Sequence, residues 1–309
     1  MKASVTIRLA LLALTFGLNQ PLGRSQVLLS DDFNYPDGSL ESVSAGTWRY
    51  NGGTSGAISV QSGHALLSES ANGDINSLLA GAPILVSSPA ILFSSFSATF
   101  TALPSGAGDY FAHFGDLGSN FRAPVFASTN GAAPGKFRLG ITRGAVGVGQ
   151  ATFLPTDFSL NTAYTVVTSY SLAGGYTTFW VNPTSQADAH VNPNDPTSSV
   201  AIWVYALLDA GNGPNGMGTV LVDDLRVGRT FGDVVDFPLR LILNGRTDAA
   251  FDMSFQTLKD RYYRIEISDD VSPPNWTTLY DNIYGSGTMQ FLRITTGDGN
   301  RFYRLVLLP

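Results

Sequence analysis

The chain is patterned in short stretches in which apolar and polar residues alternate. The clearest are Lys136–Thr142 and Gly218–Gly228, the second interrupted by a two-residue acidic step at Asp223 and Asp224. A period of two places the apolar side chains on one face of a β-strand. Similar stretches recur at short intervals between clusters of Gly, Pro, Asn and Asp, and no stretch has the period of a long helix. The pattern predicts an all-β protein.

Two similar segments, each with two successive aspartates, mark the ends of the larger predicted unit. Val27–Phe33 carries two successive aspartates after an apolar run, and Gly218–Gly228 carries a similar step about a domain's length later. We expect these segments to be the first and last strands of one sandwich, lying side by side. Many short strands with Gly and Pro turns are typical of a jelly-roll β-sandwich, which we assign to residues 26–231.

The remainder of the chain predicts a second, smaller β unit. Residues 232–238 are interpreted as a linker, and residues 239–309 as a small immunoglobulin- or fibronectin-III-like domain. Within it, Tyr262–Ile267 and Phe302–Leu307 repeat an aromatic-Arg-aliphatic pattern, which indicates equivalent strands.

Residues 1–25 have the character of a signal peptide. Lys2 and Arg8 form a basic start, Leu9–Leu18 is too short an apolar run to span a bilayer, and Gly23–Ser25 offers small residues for cleavage. A membrane anchor is the alternative. No second apolar run of that kind follows, so we predict a secreted or extracellular surface protein with no transmembrane segment in the mature chain.

The composition and charge of the chain exclude several kinds of catalytic site, metal site and partner. The 309 residues carry a net charge of −6 and include no cysteine. A chain without cysteine has no thiol nucleophile, no Cys-ligated zinc and no disulfide, so its core or a bound metal must stabilise it. The absence of a basic stripe argues against nucleic acid as a partner.

The acidic steps suggest a calcium site. If the first and last strands are neighbours, their carboxylates converge, which is unfavourable without a cation or hydrogen-bond donors. Oxygen ligands of this kind suit calcium. The predicted ligands are Asp31, Asp32, Asp223 and Asp224. The alternative is that these side chains cap turns by accepting backbone N–H bonds.

A sugar-binding face would need exposed aromatic rings beside fixed polar groups. Strand alternation places Tyr110 and Phe114 on one face of 109–114, and Phe111 and His113 on the other. The predicted ligand-facing residues are His113, Arg122, Arg138 and Trp180. For each there is a structural alternative: the tryptophan and histidine in a core or sheet, and the arginines in ion pairs with Asp109 or Asp116.

Several phrases of residues 26–231 resemble secreted bacterial modules of the concanavalin A-like lectin/glucanase superfamily, close to laminin-G-type jelly rolls. They are Leu29–Gly38, Tyr110–Phe114, Gly135–Ile141, Trp180–Pro183 and Val222–Val227. The tail is similar to small β modules at the C-terminus of such proteins. The resemblance implies a jelly-roll fold, secretion and, as in many such lectins, a structural calcium.

Enzymatic activity is not expected. The glucanases of this superfamily carry Glu-x-Asp-x-x-Glu along one strand, and glycoside hydrolysis in general needs two carboxylates flanking the bond. Residues 26–231 contain only two glutamates, Glu41 and Glu69, and neither lies in such a pattern. We therefore predict a secreted, non-catalytic carbohydrate-binding or adhesion protein. The alternatives are a structural surface or matrix protein that contacts other surface proteins, and a divergent glycoside hydrolase.

Overall fold

The computed structural model describes residues 27–308 except 210, 213, 236–240, 248–249, 258–260, 271–274, 287 and 296–300. The predicted signal peptide, residues 1–25, lies outside the described residues.

The elements before residue 236 are, in chain order, β1 (Val27–Asp31), β2 (Gly38–Ser39), α1 (Leu40–Val43), β3 (Arg49–Gly53), β4 (Ser59–Gln61), β5 (His64–Ser68), β6 (Gly73–Leu78), β7 (Ile91–Ala102), β8 (Asp109–Gly115), β9 (Phe121–Ser128), β10 (Lys136–Ile141), β11 (Thr152–Phe153), β12 (Phe158–Ser159), β13 (Ala163–Ser171), β14 (Thr177–Val181), β15 (His190–Val191), β16 (Val204–Leu208), β17 (Gly211–Asn212), β18 (Asn215–Gly216), β19 (Thr219–Gly228) and α2 (Phe231–Val234), with a 3₁₀ turn at Val148–Gln150. The later strands are β20 (Ile242–Arg246), β21 (Ala250–Gln256), β22 (Arg261–Ser268), β23 (Thr277–Gly285), β24 (Met289–Thr295) and β25 (Phe302–Leu307).

Two large antiparallel sheets form the first part of the molecule. Sheet I has the order β15-β14-β13-β7-β19-β5-β4-β2, with β1 also paired to β19. Sheet II has the order β11-β10-β9-β8-β16-β6-β3, with β12 also paired to β10. The central neighbours of each order, such as β13 with β7, β7 with β19 and β8 with β16, are distant in sequence, as in a jelly roll. The predicted all-β, jelly-roll fold class is confirmed.

The two ends of the sandwich meet as expected. Strand β1 pairs antiparallel with β19, so that Ser30 lies opposite Arg226 and Asp31 opposite Leu225. A bulge in β19 between Asp223 and Arg226 interrupts its pairing with β7. Asp224, at φ +50°, lies within this bulge.

The core lies between the inward faces of the two sheets and is rich in aromatic rings. Phe96 and Phe100 of β7 in sheet I contact Phe111 of β8 in sheet II edge-on, at 5.9 and 5.6 Å between ring centroids. Phe100 also packs on Phe137 at 4.5 Å. All four are fully or almost fully buried. Edge-to-face packing and burial of this kind contribute much of the stability that disulfides supply elsewhere.

A short helix covers part of the outer face of sheet I, the face turned away from sheet II. Helix α2 begins with a capping box in which the side chains of Thr230 and Asp233 each accept from the other's backbone N–H. Its Phe231 packs edge-on against Phe93 and Trp180, at 6.0 and 5.5 Å. The segment that the sequence suggested as a linker therefore starts with a helical turn held on the sandwich.

The C-terminal part consists of two three-stranded sheets, ordered β20-β21-β24 and β23-β22-β25. Phe255, Tyr263 and Ile265 form the buried centre between them. Strand β22 is tied to α2, because Arg261 donates to Asp233 at 2.5 Å and both side chains are buried. The exact domain boundaries at 231, 238 and 239 stay predictions. Within the described residues, no helix combines the length and hydropathy of a bilayer-spanning segment.

Candidate functional site

The predicted calcium ligands lie near one another along β1 and β19 but do not form one site. Asp31, Asp32 and Asp224 line a cleft of about 400 Å³ together with Arg226. Asp31 is 6% exposed, and protein donors occupy both of its oxygens. Oδ1 accepts from the Phe33 N–H at 2.8 Å, and Oδ2 accepts from Trp48 Nε1 at 2.7 Å and Tyr35 Oη at 2.9 Å.

Asp223 is engaged by neighbouring groups of its own. Asp223 Oδ1 accepts from the Asp224 N–H at 2.8 Å, and its Oδ2 lies 3.5 Å from His64 Nε2. Partial burial raises the pKa of Asp223. The described residues contain no group of three or more His, Asp or Glu side chains arranged to hold a metal ion. Asp31, Asp32 and Asp224 thus share one cleft, and Asp223 lies within electrostatic reach of Asp224 and Asp32. Calcium binding by these four residues stays a prediction.

His113, the first predicted ligand residue, is buried rather than presented to solvent. Its Nδ1 lies 2.8 Å from the Phe114 carbonyl oxygen, and its ring packs 4.2 Å from that of Phe121. Burial lowers the pKa of His113 to about 4, so the imidazole is neutral at ordinary pH. Its Nε2 is buried and has no hydrogen-bond partner in the described structure.

The predicted alternation of β8 is wrong because the strand is bulged. The register against β9 shifts between Tyr110 and Ala112. The extra residue places both Phe111 and Phe114 in the core and brings the Tyr110 ring within 6.1 Å of His113 on the outer face. A bulge adds a residue on one strand and so reverses the alternation beyond it.

Arg122 and Arg138 have structural partners that differ from the predicted ones. Arg122 is buried and donates through Nε and Nη2 to the Ser198 carbonyl oxygen, at 2.9 and 2.6 Å. Arg138 donates through Nε to Asp157 at 2.8 Å, not to Asp109 or Asp116. Both guanidinium groups therefore hold neighbouring segments in place.

Trp180 lies on the other sheet and beneath α2. It is 4% exposed and packs in a cluster with Phe93, Val167 and Phe231 on the outer face of sheet I. Its Nε1 donates to the Gln186 carbonyl oxygen at 3.3 Å. His113, Arg122, Arg138 and Trp180 are consequently not brought together as one surface.

A different set of side chains comes together on the outer face of sheet II. Asp74 and Asn76 flank the buried Ile75 on β6, and Asn51 extends from the neighbouring edge strand β3. The Asn76 amide donates to Asn51 Oδ1 at 3.0 Å, and the Asn51 amide donates to Asp74 Oδ2 at 2.7 Å. We call Asn51, Asp74, Asn76 and Tyr110 the polar strip.

The electrostatics of the polar strip are unusual for a strand surface. Burial raises the pKa of Asp74 to about 6, and the hydrogen bond from Asn51 offsets this only in part. Asp74 Oδ1 is buried and has no partner among the described residues. Burial, together with the charges of Asp109 and Asp74, raises the pKa of Tyr110 to about 12. The influence of both charges on the pKa of Tyr110 shows that its hydroxyl is within electrostatic reach of Asp109 and Asp74.

The strip offers the groups that recognise hydroxylated ligands. A carboxylate accepts hydrogen bonds, a carboxamide both donates and accepts, and a phenol adds a hydroxyl and an apolar ring face. The Tyr110 ring is held by Phe121 and Phe126, at 6.0 and 5.6 Å. The sequence signal was the alternation of Gly73–Leu78, in which polar Asp74 and Asn76 surround Ile75; this strand was not singled out by sequence reasoning.

Comparisons with known proteins agree with the fold. No protein-family model matches the sequence, and neither does any curated protein. Among solved structures, the chain is similar to the CBM2 module of the evolved Dit of Lactobacillus casei BL23 phage J-1, at 16% identity and a TM-score of 0.41, covering 69% of this chain and 98% of that one. It is similar to the marine PL7 alginate lyase from Zobellia galactanivorans at 15% identity and a TM-score of 0.37, covering 60% and 96%.

A third similar structure is the exoplasmic/lumenal domain of VIP36 in its Ca²⁺/Man-bound form, at 11% identity and a TM-score of 0.36, covering 60% of this chain and 84% of that one. Likenesses of this strength carry no argument about activity, ligand or metal. What the chain's own strand order shows is the fold, a jelly-roll sandwich of two antiparallel sheets.

Proposed function

We propose that this chain is a secreted, non-catalytic glycan-binding protein and that the polar strip on sheet II receives the sugar. The observation that carries the proposal is the hydrogen-bonded series Asn76–Asn51–Asp74, with Tyr110 of β8 within electrostatic reach of Asp74 across the intervening strand β16. Adjacent sugar hydroxyls each donate one hydrogen bond and accept others, which a carboxylate next to carboxamides can satisfy. The fold leaves this outer sheet face open at Asn51, which is exposed.

The outer face of sheet I is less suited to a ligand. Helix α2 covers Phe93, Val167 and Trp180 there, and the Ser95 hydroxyl donates to the Val234 carbonyl oxygen beneath it. A ligand on that side would have to displace packed apolar side chains. The comparison of the two faces supports sheet II as the binding surface.

Binding of the full chain to an array of neutral and acidic glycans tests the proposal. Asp74→Asn and Asn51→Ala should each weaken retention by about tenfold, since each removes at least one hydrogen bond to the sugar. Asp252→Asn is the matched control. Asp252 is 52% exposed and lies 3.8 Å from Arg293 within the sheet β20-β21-β24, which is not the sheet of the polar strip. Uniform absence of binding would instead favour a structural matrix protein, and equal binding by all three variants would overturn the polar strip as the binding site.

One observation favours a second function, glycoside hydrolysis. A general acid must keep its proton near neutral pH, and burial raises the pKa of Asp74 to about 6. Asp109, whose pKa burial also raises, lies like Asp74 within electrostatic reach of Tyr110 and is the candidate for the second carboxylate. Release of reducing sugar by the wild-type chain, abolished in Asp74→Asn while binding is retained, would establish this activity over simple binding.

A further inference from the structure

The outer face of the C-terminal sheet β23-β22-β25 carries aromatic rings at both ends of a network of ion pairs. Alternate residues of β22 point inward: Tyr263 and Ile265 form the buried centre of the unit. The intervening side chains therefore face outward. Together with their cross-strand neighbours they form what we call the aromatic platform: Tyr262, Tyr284, Arg264, Glu266, Arg304 and Trp276.

One end of the platform is a pair of tyrosines. Tyr262 lies directly opposite Tyr284 across β22 and β23, with ring centroids 5.6 Å apart. Tyr284 is 49% exposed even so. Cross-strand aromatic pairs of this kind stabilise a sheet, but a buried partner would serve that purpose equally well. The exposure leaves aromatic surface available to a ligand.

The other end is an indole held by a cation. The Arg304 guanidinium carbon lies 4.5 Å from the centroid of the Trp276 ring. Arg304 is fixed in turn by Glu266, to which it donates through Nε at 2.7 Å and Nη2 at 2.6 Å. A cation over the indole holds the ring in place, and Trp276 remains partly exposed.

The middle of the platform is polar and electrically balanced. Arg264 donates to both oxygens of Asp281, at 2.8 and 3.1 Å, and lies 3.8 Å from Glu266. The hydrogen bond from Arg264 lowers the pKa of Asp281, and that from Asp281 raises the pKa of Arg264. The ion-pair network therefore contains two cations, Arg264 and Arg304, and two anions, Glu266 and Asp281. It therefore attracts neither an acidic nor a basic ligand, yet it presents donors and acceptors at fixed positions.

The dimensions fit an extended ligand. Glu266, which pairs with Arg304, lies four positions along β22 from Tyr262, and a strand rises about 3.3 Å per residue. The tyrosine pair is therefore about 13 Å from the Glu266–Arg304 pair that holds Trp276. Flat apolar rings separated by neutral hydrogen-bonding surface match a chain of sugar rings, whose ring faces are apolar and whose edges carry hydroxyls. A charged peptide would have to compete with the pinned ion pairs.

We propose that the aromatic platform is a second, separate binding site for a neutral, linear polysaccharide. It lies in a different unit from the polar strip and rests on different residues, so each site can be present without the other. Two sites on one chain would raise the strength of attachment to a polymer without any new contact.

The test is retention of the full chain on microcrystalline cellulose, insoluble xylan and chitin, measured as an association constant from depletion of the supernatant. Tyr284→Ala and Trp276→Ala should each lower the constant for the preferred polymer by about tenfold, and the double variant further. Tyr284→Phe should retain binding because the ring remains. The matched control is Phe291→Ala, since Phe291 is 71% exposed on the other sheet of the same unit.

The outcomes separate the two sites. Loss of retention in the platform variants with normal retention in Asp74→Asn supports the platform and shows that the polar strip does not bind these polymers. Loss only in Asp74→Asn supports the strip and overturns the platform. No retention on any of the three polymers, or equal retention by Phe291→Ala and the double platform variant, also overturns the platform. Thermal melting of each variant identifies any that has lost its fold, and the comparison then rests on whichever of Tyr284→Ala and Trp276→Ala is folded.

Discussion

Asp31 is the carboxylate whose removal should be most damaging to the sandwich. Its side chain joins the end of β1 to the loop that follows and to Trp48, through bonds from the Phe33 N–H, Tyr35 Oη and Trp48 Nε1. Phe33 and Trp48 are at most 1% exposed, whereas the Tyr35 hydroxyl is only partly buried. Water can replace the partner of Tyr35 but not those of the other two donors.

The cost of Asp31→Ala follows from these two buried donors. A buried donor left without an acceptor costs about 1 to 3 kcal/mol, so two of them cost about 2 to 6 kcal/mol of the free energy of unfolding. For a unit of roughly 200 residues, each kcal/mol lowers Tm by about 2 to 4 °C. We therefore expect Asp31→Ala to lower the Tm of the full chain by at least about 4 °C.

The assay is thermal melting followed by circular dichroism, with excess EDTA and with added calcium. Asp32→Ala is the matched control: Asp32 is exposed and accepts one long bond from the Asn34 N–H, at 3.3 Å, so its loss should change stability by less than about 0.5 kcal/mol. We expect the Asp31→Ala loss to be equal in EDTA and in calcium. If calcium raises the wild-type Tm and Asp31→Ala removes that increase, the carboxylate is a metal ligand and the hydrogen-bond account fails.

Three further results are expected. Asp209 is fully buried with Oδ2 unpartnered in the described structure, and burial raises its pKa to about 7. Between about pH 4 and 7 the folded state keeps the Asp209 carboxyl protonated and the unfolded state does not, so the free energy of unfolding falls as pH rises through this range. Denaturation at several pH values should show Asp209→Asn more stable than wild type at pH 8 and equal to it near pH 4. Trp180→Ala should cost about 3 to 5 kcal/mol in a denaturant titration yet leave glycan retention intact in the folded protein. Asp233→Ala should cost about 3 to 5 kcal/mol, because Arg261 is left as a buried charge; the substitution Arg261→Met together with Asp233→Ala should recover part of this, and no recovery would contradict the pairing.

The overall sandwich could be predicted from the sequence because its determinants are local and periodic. The alternation of Lys136–Thr142 gave the correct buried set Phe137, Leu139 and Ile141. The pairing of the first and last strands followed from two similar acidic phrases, and the structure confirms it. Such inferences succeed where each residue occupies the face that its position in the period assigns.

The candidate site could not be predicted in the same way, because one bulge and one helical turn changed which side chains are accessible. The extra residue at Phe111 moved His113 to the face of Tyr110. The turn at 231–234 buried Trp180, although the capping residues Thr230 and Asp233 were a readable helix-start signal. The polar strip depends on β3 lying beside β6, a pairing across the sheet that no local pattern specifies.

Helix α2 has a practical consequence for dissecting the protein. A sandwich truncated after Gly228 would lack Phe231 and Val234, which cover Phe93, Val167 and Trp180. These three side chains would then form one contiguous apolar patch exposed to solvent. Areas of this kind drive self-association. We therefore expect an N-terminal fragment to stay monomeric at high concentration only if it extends through Val235 and so includes α2.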